Sequence, residues 1–173
     1  MNIFIRRTDT YRSGIFHEMA RHPSIAEVLQ HDEYRKLAQF RHHGSVSCLD
    51  HCIDVALITF SLAERHGCDA VSAARGALLH DLFFYNWRSE GPRLHGFRHP
   101  AIACANAGKL FELNTIEEDA ILRHMWPLTP VPPRYRESML VCYADKVVTY
   151  RDYRDSVRGA VSAIKKSFQK TAP

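Results

Sequence analysis

Four imidazoles and two carboxylates, His51, His80, Asp81, His99, His124 and Asp145, are the groups in this sequence whose types and surroundings could do chemistry. The adjacent pair His80-Asp81 poses the question most sharply. It lies in Val71-Ser72-Ala73-Ala74-Arg75-Gly76-Ala77-Leu78-Leu79-His80-Asp81-Leu82-Phe83-Phe84, where Val71, Ala74, Leu78 and Leu82 recur at helical spacing. Polar groups in such a run are expected inside, and a buried carboxylate is costly unless it is paired or bound to a metal. His51 shares a helical side with Val55, Ile58 and Leu62, and Asp145 lies between Val141 and Val148 at one-turn spacing. His124 follows Ile116 and Ala120, and His99 stands directly before Pro100, a position expected to open a helix. Each residue alone has an ordinary reading: a hydrogen-bonded core histidine, a cap, or an aspartate paired with Arg75 or Arg123. As a set facing one core, mixed His/Asp donors suit first-row divalent cations such as Fe, Mn, Co, Ni or Zn.

The elements that must position these groups are helical. No proline falls between Pro23 and Pro92, and no alternating strand pattern occurs there. Helices are expected near residues 14–21, 24–30, 32–41, 46–66, 69–85, 99–112, 115–126, 134–151 and 153–168, with breaks at Gly44 and Gly67. Two loops stand out, Trp87–Arg98 with its arginines and Pro127–Pro133 with four prolines. The reading is an all-α protein: a single compact helical domain over residues 36–173, preceded by an N-terminal helical extension over residues 1–35.

Composition narrows the partners. The chain has 173 residues, 46% hydrophobic and 24% charged, which suffices for one packed core. The formal charge of +4 comes without a Lys/Arg block, so a nucleic-acid surface is not supported. The five cysteines (Cys48, Cys52, Cys68, Cys104 and Cys142) lack CxxC spacing and read as reduced, mostly buried thiols. Neither the N-terminus nor Val55–Ile58 is long and apolar enough for a signal peptide or a membrane span, so a soluble cytoplasmic protein is expected.

The ordered pattern His51 … His80-Asp81 … Asp145 resembles the HD-domain metal-dependent phosphohydrolases, named for their adjacent His-Asp pair. The resemblance runs over roughly residues 42–150. Its most specific pieces are His51-Cys52-Ile53-Asp54-Val55-Ala56, Leu78-Leu79-His80-Asp81-Leu82 and Ala144-Asp145-Lys146. Leu94–Pro100 and Arg123–Thr129 are also similar to an uncharacterised bacterial subgroup of that family. The resemblance implies a compact helical fold of the HD type with His51, His80, Asp81 and Asp145 on a first metal. It further implies a second metal on His99 and His124, with Asp81 bridging. Paired divalent cations activate water and neutralise phosphoryl charge. Asp81 and Lys146 are then the catalytic candidates. Arg88, Arg98 and Arg123 are candidates for holding substrate phosphates, and His43 is a candidate for the pocket rim. The implied activity is phosphomonoesterase or phosphodiesterase action on a nucleotide or other small phosphorylated metabolite. A diiron oxygenase on the same fold and a non-catalytic HD-fold interaction module are the alternatives. The expected partner is a small phosphorylated substrate rather than nucleic acid or a membrane; assembly into a homo-oligomer is compatible with the sequence.

Overall fold

The computed structural model describes residues 9–42, 44 and 46–170. These form eight α-helices and one 3-10 turn: α1 (Asp9–Ala20), α2 (Pro23–Gln30), α3 (Asp32–Arg35), the 3-10 turn Lys36–Gln39, α4 (Cys48–Arg65), α5 (Ala70–Leu79), α6 (His95–Leu110), α7 (Thr115–Arg123) and α8 (Arg136–Lys170). Among the described residues the only β-type pairing is an isolated bridge between Arg41 and Ser47. The fold class is all-α, as the hydrophobic periodicity implies.

Helix α4 is the centre of the bundle. Its N-cap Ser47 accepts a hydrogen bond from the Asp50 amide, which satisfies one of the unpaired donors of the first turn. Cys52, Val55, Ala56, Phe60 and Ala63 are buried on several sides of it. A helix apolar on more than one face has to be covered on more than one face, and α1, α5 and α8 all pack on it. Residues from the N-terminal helices join the same core: Met19, Ile25, Val28 and Tyr34 are fully buried within it. An ionic chain adds to this packing, with the Asp54 carboxylate held between the guanidinium groups of Arg12 on α1 and Arg151 on α8.

Caps fix the remaining helices. Asp69 caps α5 through the Ser72 amide at 3.0 Å. Asn114 and Glu117 form a reciprocal capping box on α7, with Asn114 Oδ1 accepting from the Glu117 amide at 2.9 Å and Glu117 Oε2 from the Asn114 amide at 3.1 Å.

Several boundaries differ from the sequence expectation: α1 begins at Asp9 rather than 14, and the helix expected at 32–41 is the short α3 followed by the 3-10 turn. Helix α5 stops at Leu79, not at 85; at its end the His80 ring takes the Ala77 carbonyl, and beyond it Asp81 O accepts from Cys48 Sγ and Leu82 O from Asn106 Nδ2. Helix α7 ends at Arg123, three residues earlier than expected. Helix α6 begins at His95 after the left-handed Leu94 (φ 60°), which places His99-Pro100 inside the helix rather than at its entrance. The segments expected at 134–151 and 153–168 are one continuous α8 of 35 residues. Asp152, at the expected break, is buried instead.

Gly76 on α5 faces Ala120 on α7 so closely that a Cβ there would lie 2.8 Å from the Ala120 Cβ. Alanine would gain about 1 kcal/mol in helix propensity, but the overpacking should dominate. Gly76→Ala is therefore expected to lower stability by about 1–3 kcal/mol, read as a lower urea midpoint at unchanged slope.

Candidate metal centre

The six groups singled out in the sequence converge from five segments. His51 comes from the second turn of α4, His80 and Asp81 from the turn that ends α5, His99 from α6, His124 from the end of α7 and Asp145 from α8. All six are buried. One device recurs at the helix ends. His80 and His124 are the C-cap residues of α5 and α7. Each folds its Nδ1 back onto a carbonyl three residues earlier, Ala77 O at 2.7 Å and Ile121 O at 2.8 Å. The histidine thus satisfies a helix-end carbonyl and is oriented by it. His99 does the same within α6, its Nδ1 lying 2.9 Å from His95 O. His51 Nδ1 faces Asp152 Oδ2 at 3.6 Å. Every Nδ1 is thereby turned to an oxygen, and every Nε2 is presented to the centre. This is the orientation metal-ligating histidines take when an outer oxygen fixes the tautomer.

The Nε2 atoms surround two carboxylates. His51 Nε2 is 3.2 Å and His80 Nε2 3.8 Å from Asp145 Oδ1. His80 Nε2 is 3.6 Å from Asp81 Oδ2. On the other side of the same carboxylate, His99 Nε2 is 3.1 Å and His124 Nε2 3.7 Å from Asp81 Oδ1. Asp81 therefore stands between two imidazole groups, one oxygen toward each. His42 Nε2 completes the ring at 2.8 Å from Asp81 Oδ2.

This donor set fits divalent cations. His99 Nε2 and His124 Nε2 are 2.8 Å apart. With both Nδ1 protons committed to carbonyls, two neutral rings would oppose lone pair to lone pair, an arrangement that calls for shared positive charge. His80 Nε2 and Asp81 Oδ1 are buried without a hydrogen-bond partner among the described residues, which is costly unless a cation meets them. Three overlapping groups have ligand atoms close enough to share an ion: His42, His51 and Asp81; His51, His80 and Asp145; His80, Asp81 and His124. Arg75 and Arg123, the alternative partners for Asp145, are engaged with Glu117 at 3.4 Å and Asp119 at 3.8 Å.

The electrostatics follow from this crowding. Burial alone would raise the Asp81 carboxyl, but the His80 and His99 imidazoles and the His42 hydrogen bond hold it well below the usual carboxylate range. Asp145 is likewise lowered against its burial, by the hydrogen bond with His51 and by the neighbouring His80 imidazole. Burial opposes the charged form of His51, yet the Asp145 and Asp152 carboxylates raise it to about 9. His124 moves the other way: burial and the neighbouring His80 and His99 lower it to about 3.

A cavity of about 850 Å³ opens over this centre. Lys146 lines it, with its Nζ 3.0 Å from His124 O and 3.2 Å from Cys142 O. The structure does not bring Arg88, Arg98 or Arg123 to the cavity lining. Arg88 lies over the Trp87 ring at 4.9 Å, Arg98 is exposed, and Arg123 pairs with Asp119. His43 lies outside the described residues.

Sequence reasoning passed over three residues here. His42, in a loop without periodicity, stacks on the His51 ring at 3.8 Å and bonds Asp81. His95 stacks between Trp87, at 5.5 Å, and His99, at 4.6 Å. Asp152 backs His51. Its signal was one residue spacing, since Asp145, Val148 and Asp152 share one face of a single helix.

The family described as HD domain matches residues 48–150. Curated proteins named Ribonuclease Y from Thermotoga petrophila, Thermotoga sp. (strain RQ2) and Thermotoga maritima are each 30% identical over 142 residues, covering 82% of this chain and 24% of theirs. The chain thus spans about a quarter of the length of these relatives. No solved structure matches it significantly.

Against their burial, the Asp145 and Asp152 carboxylates raise His51 to about 9 and Asp81 raises His80 well above the ordinary imidazole range, so a cation entering at neutral pH has to displace protons from both. The apparent affinity of the metal-stripped protein for Mn²⁺ is expected to rise by more than tenfold per pH unit through the neutral range, because more than one proton leaves. Calorimetric titration in buffers of different ionisation enthalpy would show the released protons directly.

Proposed function

This chain belongs to the HD domain family of metal-dependent phosphohydrolases, and on that premise we propose that it hydrolyses a phosphate ester of a nucleotide or other small phosphorylated metabolite. The observation that carries the reading is the division of Asp81 between two sets of imidazoles. It supports two ions, one held by His51, His80, Asp81 and Asp145, the other by Asp81, His99 and His124. Divalent cations at such a site supply an activated water for attack on phosphorus and neutralise the phosphoryl oxygens.

The residues of the chain provide the rest. Asp81 sets the spacing of the two halves of the site. The Nδ1 contacts keep the four imidazoles in place, so no side chain has to reorganise when substrate arrives. Lys146 adds a point charge at the wall, suited to a phosphate oxygen. The name of the relatives, a ribonuclease, is consistent with phosphoester chemistry and is otherwise a property of those longer proteins.

The test is phosphate release by metal-stripped protein reloaded with Mn²⁺, Co²⁺, Ni²⁺ or Fe²⁺, together with metal content per chain. Asp81→Ala is expected to abolish hydrolysis and metal retention while helical circular dichroism survives. His124→Ala is expected to reduce bound metal from two ions toward one. Unchanged turnover in Asp81→Ala would overturn the assignment. Oxygen-dependent turnover by the iron form without ester hydrolysis would replace it with an oxygenase. Full thermal stability of the stripped protein, with no turnover in any form, would replace it with an interaction module.

A further inference from the structure

The cavity has a polar floor and an apolar wall. Its floor is the carboxylate and imidazole cluster; its wall includes Met125, Pro127, Leu128, Tyr150 and Tyr153. Three of these are large apolar groups kept in water: Tyr150 is 61% exposed, Leu128 49% and Tyr153 44%. Single exposed apolar residues are ordinary, but a cluster around the mouth of one cavity marks a binding surface. Tyr150 and Tyr153 stand three residues apart on α8, so they project from neighbouring turns toward the same opening. Aromatic rings in such a place bind flat ring systems by stacking.

The charge of the cavity is as informative. Among the described residues Lys146 is the only Lys or Arg in its lining, and its ammonium already rests on His124 O, Cys142 O and Cys142 Sγ within 3.0–3.2 Å. A nucleoside triphosphate brings additional phosphoryl charges, and a nucleic-acid strand brings one per nucleotide; proteins meet both with several cationic groups. At about 850 Å³ the space is nonetheless far larger than a lone phosphate needs and falls in the range that encloses a ligand of several rings.

We propose that this cavity takes a phosphate monoester with a single phosphoryl group and a flat, largely apolar leaving group, with Tyr150 and Tyr153 as the residues that select it. The proposal rests on the phosphohydrolase reading for the position of the phosphoryl group, over the Asp81 centre. Hydrolysis of such an ester adds water across the P–O bond: phosphorus gains the oxygen of water, the leaving oxygen takes the proton, and inorganic phosphate and a hydroxyl compound result. A nucleobase and a simple aryl ring share the required chemistry and are separated by the test.

Binding is measured first, so that it does not depend on turnover. The Mn²⁺-loaded full chain is titrated by calorimetry with methylphosphonate, naphthylphosphonate and a nucleoside 5′-phosphonate, none of which has the scissile P–O bond to its organic group. The nucleoside 5′-triphosphate and a short single-stranded oligoribonucleotide complete the series. The planar monophosphonates are expected to bind at least tenfold tighter than methylphosphonate, with whichever of the two binds tighter identifying the ring source. Tyr150→Ala and Tyr153→Ala are each expected to cut that preference severalfold, read as the ratio of planar to methyl affinity. Lost preference for planar ligands in the native protein, a ratio unmoved by both substitutions, or tighter binding of the triphosphate or the oligonucleotide overturns the proposal. Planar preference without hydrolysis of any ester leaves the ligand class standing and removes the phosphohydrolase reading. Ester hydrolysis without planar preference does the reverse.

Discussion

A carboxylate sealed from water among imidazole rings is the constraint around which this molecule is built. Asp81 lies in the interior with its two oxygens directed to opposite groups of histidines. An isolated charge in that position would be expensive. It is tolerated because His42, His80, His99 and His124 all come within 4 Å of it from different parts of the chain. Those contacts join the end of α5, the first turns of α6 and the end of α7. The packing of Gly76 against Ala120, which draws α5 and α7 together, serves the same convergence.

Helix α8 gives the site its second face. Asp145 and Asp152 come from one side of it, two turns apart, and sandwich the His51 ring between their carboxylates. Asp152 is in turn held by Arg151, which also reaches Asp54 on α4. A continuous ionic line therefore runs from Arg12 on α1 through Asp54, Arg151 and Asp152 to His51. Helix α1 and the buried His51 imidazole are thereby joined, although no single contact in the line is exceptional. Chains of this kind hold geometry more than they add stability, since each exposed link is worth little by itself.

How much of this was legible in the sequence depended on the kind of force involved. Helix α4 was readable because its burial is written as apolar residues on several sides. The inward groups His51, His80, Asp81, His124 and Asp145 were readable for the same reason: a polar residue in an apolar period stands out. The end of α5 was not, because neither glycine nor proline marks it; beyond it the Asp81 and Leu82 carbonyls meet Cys48 and Asn106, far away in the chain. His42 was missed because a loop has no period against which one imidazole of His42-His43 can be preferred. The continuity of α8 was hidden by Arg151-Asp152, a charged pair that looks like a surface break and is in fact partly buried against the centre. The three arginines expected near phosphate had only their charge to recommend them, with a loop position for Arg88 and Arg98, and the fold uses Arg88 and Arg123 elsewhere.

The spread of the donors along the chain has a kinetic side. His42 and Asp81 are 39 residues apart, His99 and His124 25, and His51 and Asp145 94. No short stretch of sequence holds half of the centre, so it forms only when distant segments have already met, the kind of contact that is slow to make because large loops must close first. Once made, a bond across such loops restrains the chain as a cross-link would. A cation settling there would tie α4, α6, α7, α8 and the turn after α5 into one knot of chain. Its departure would loosen all five segments at once.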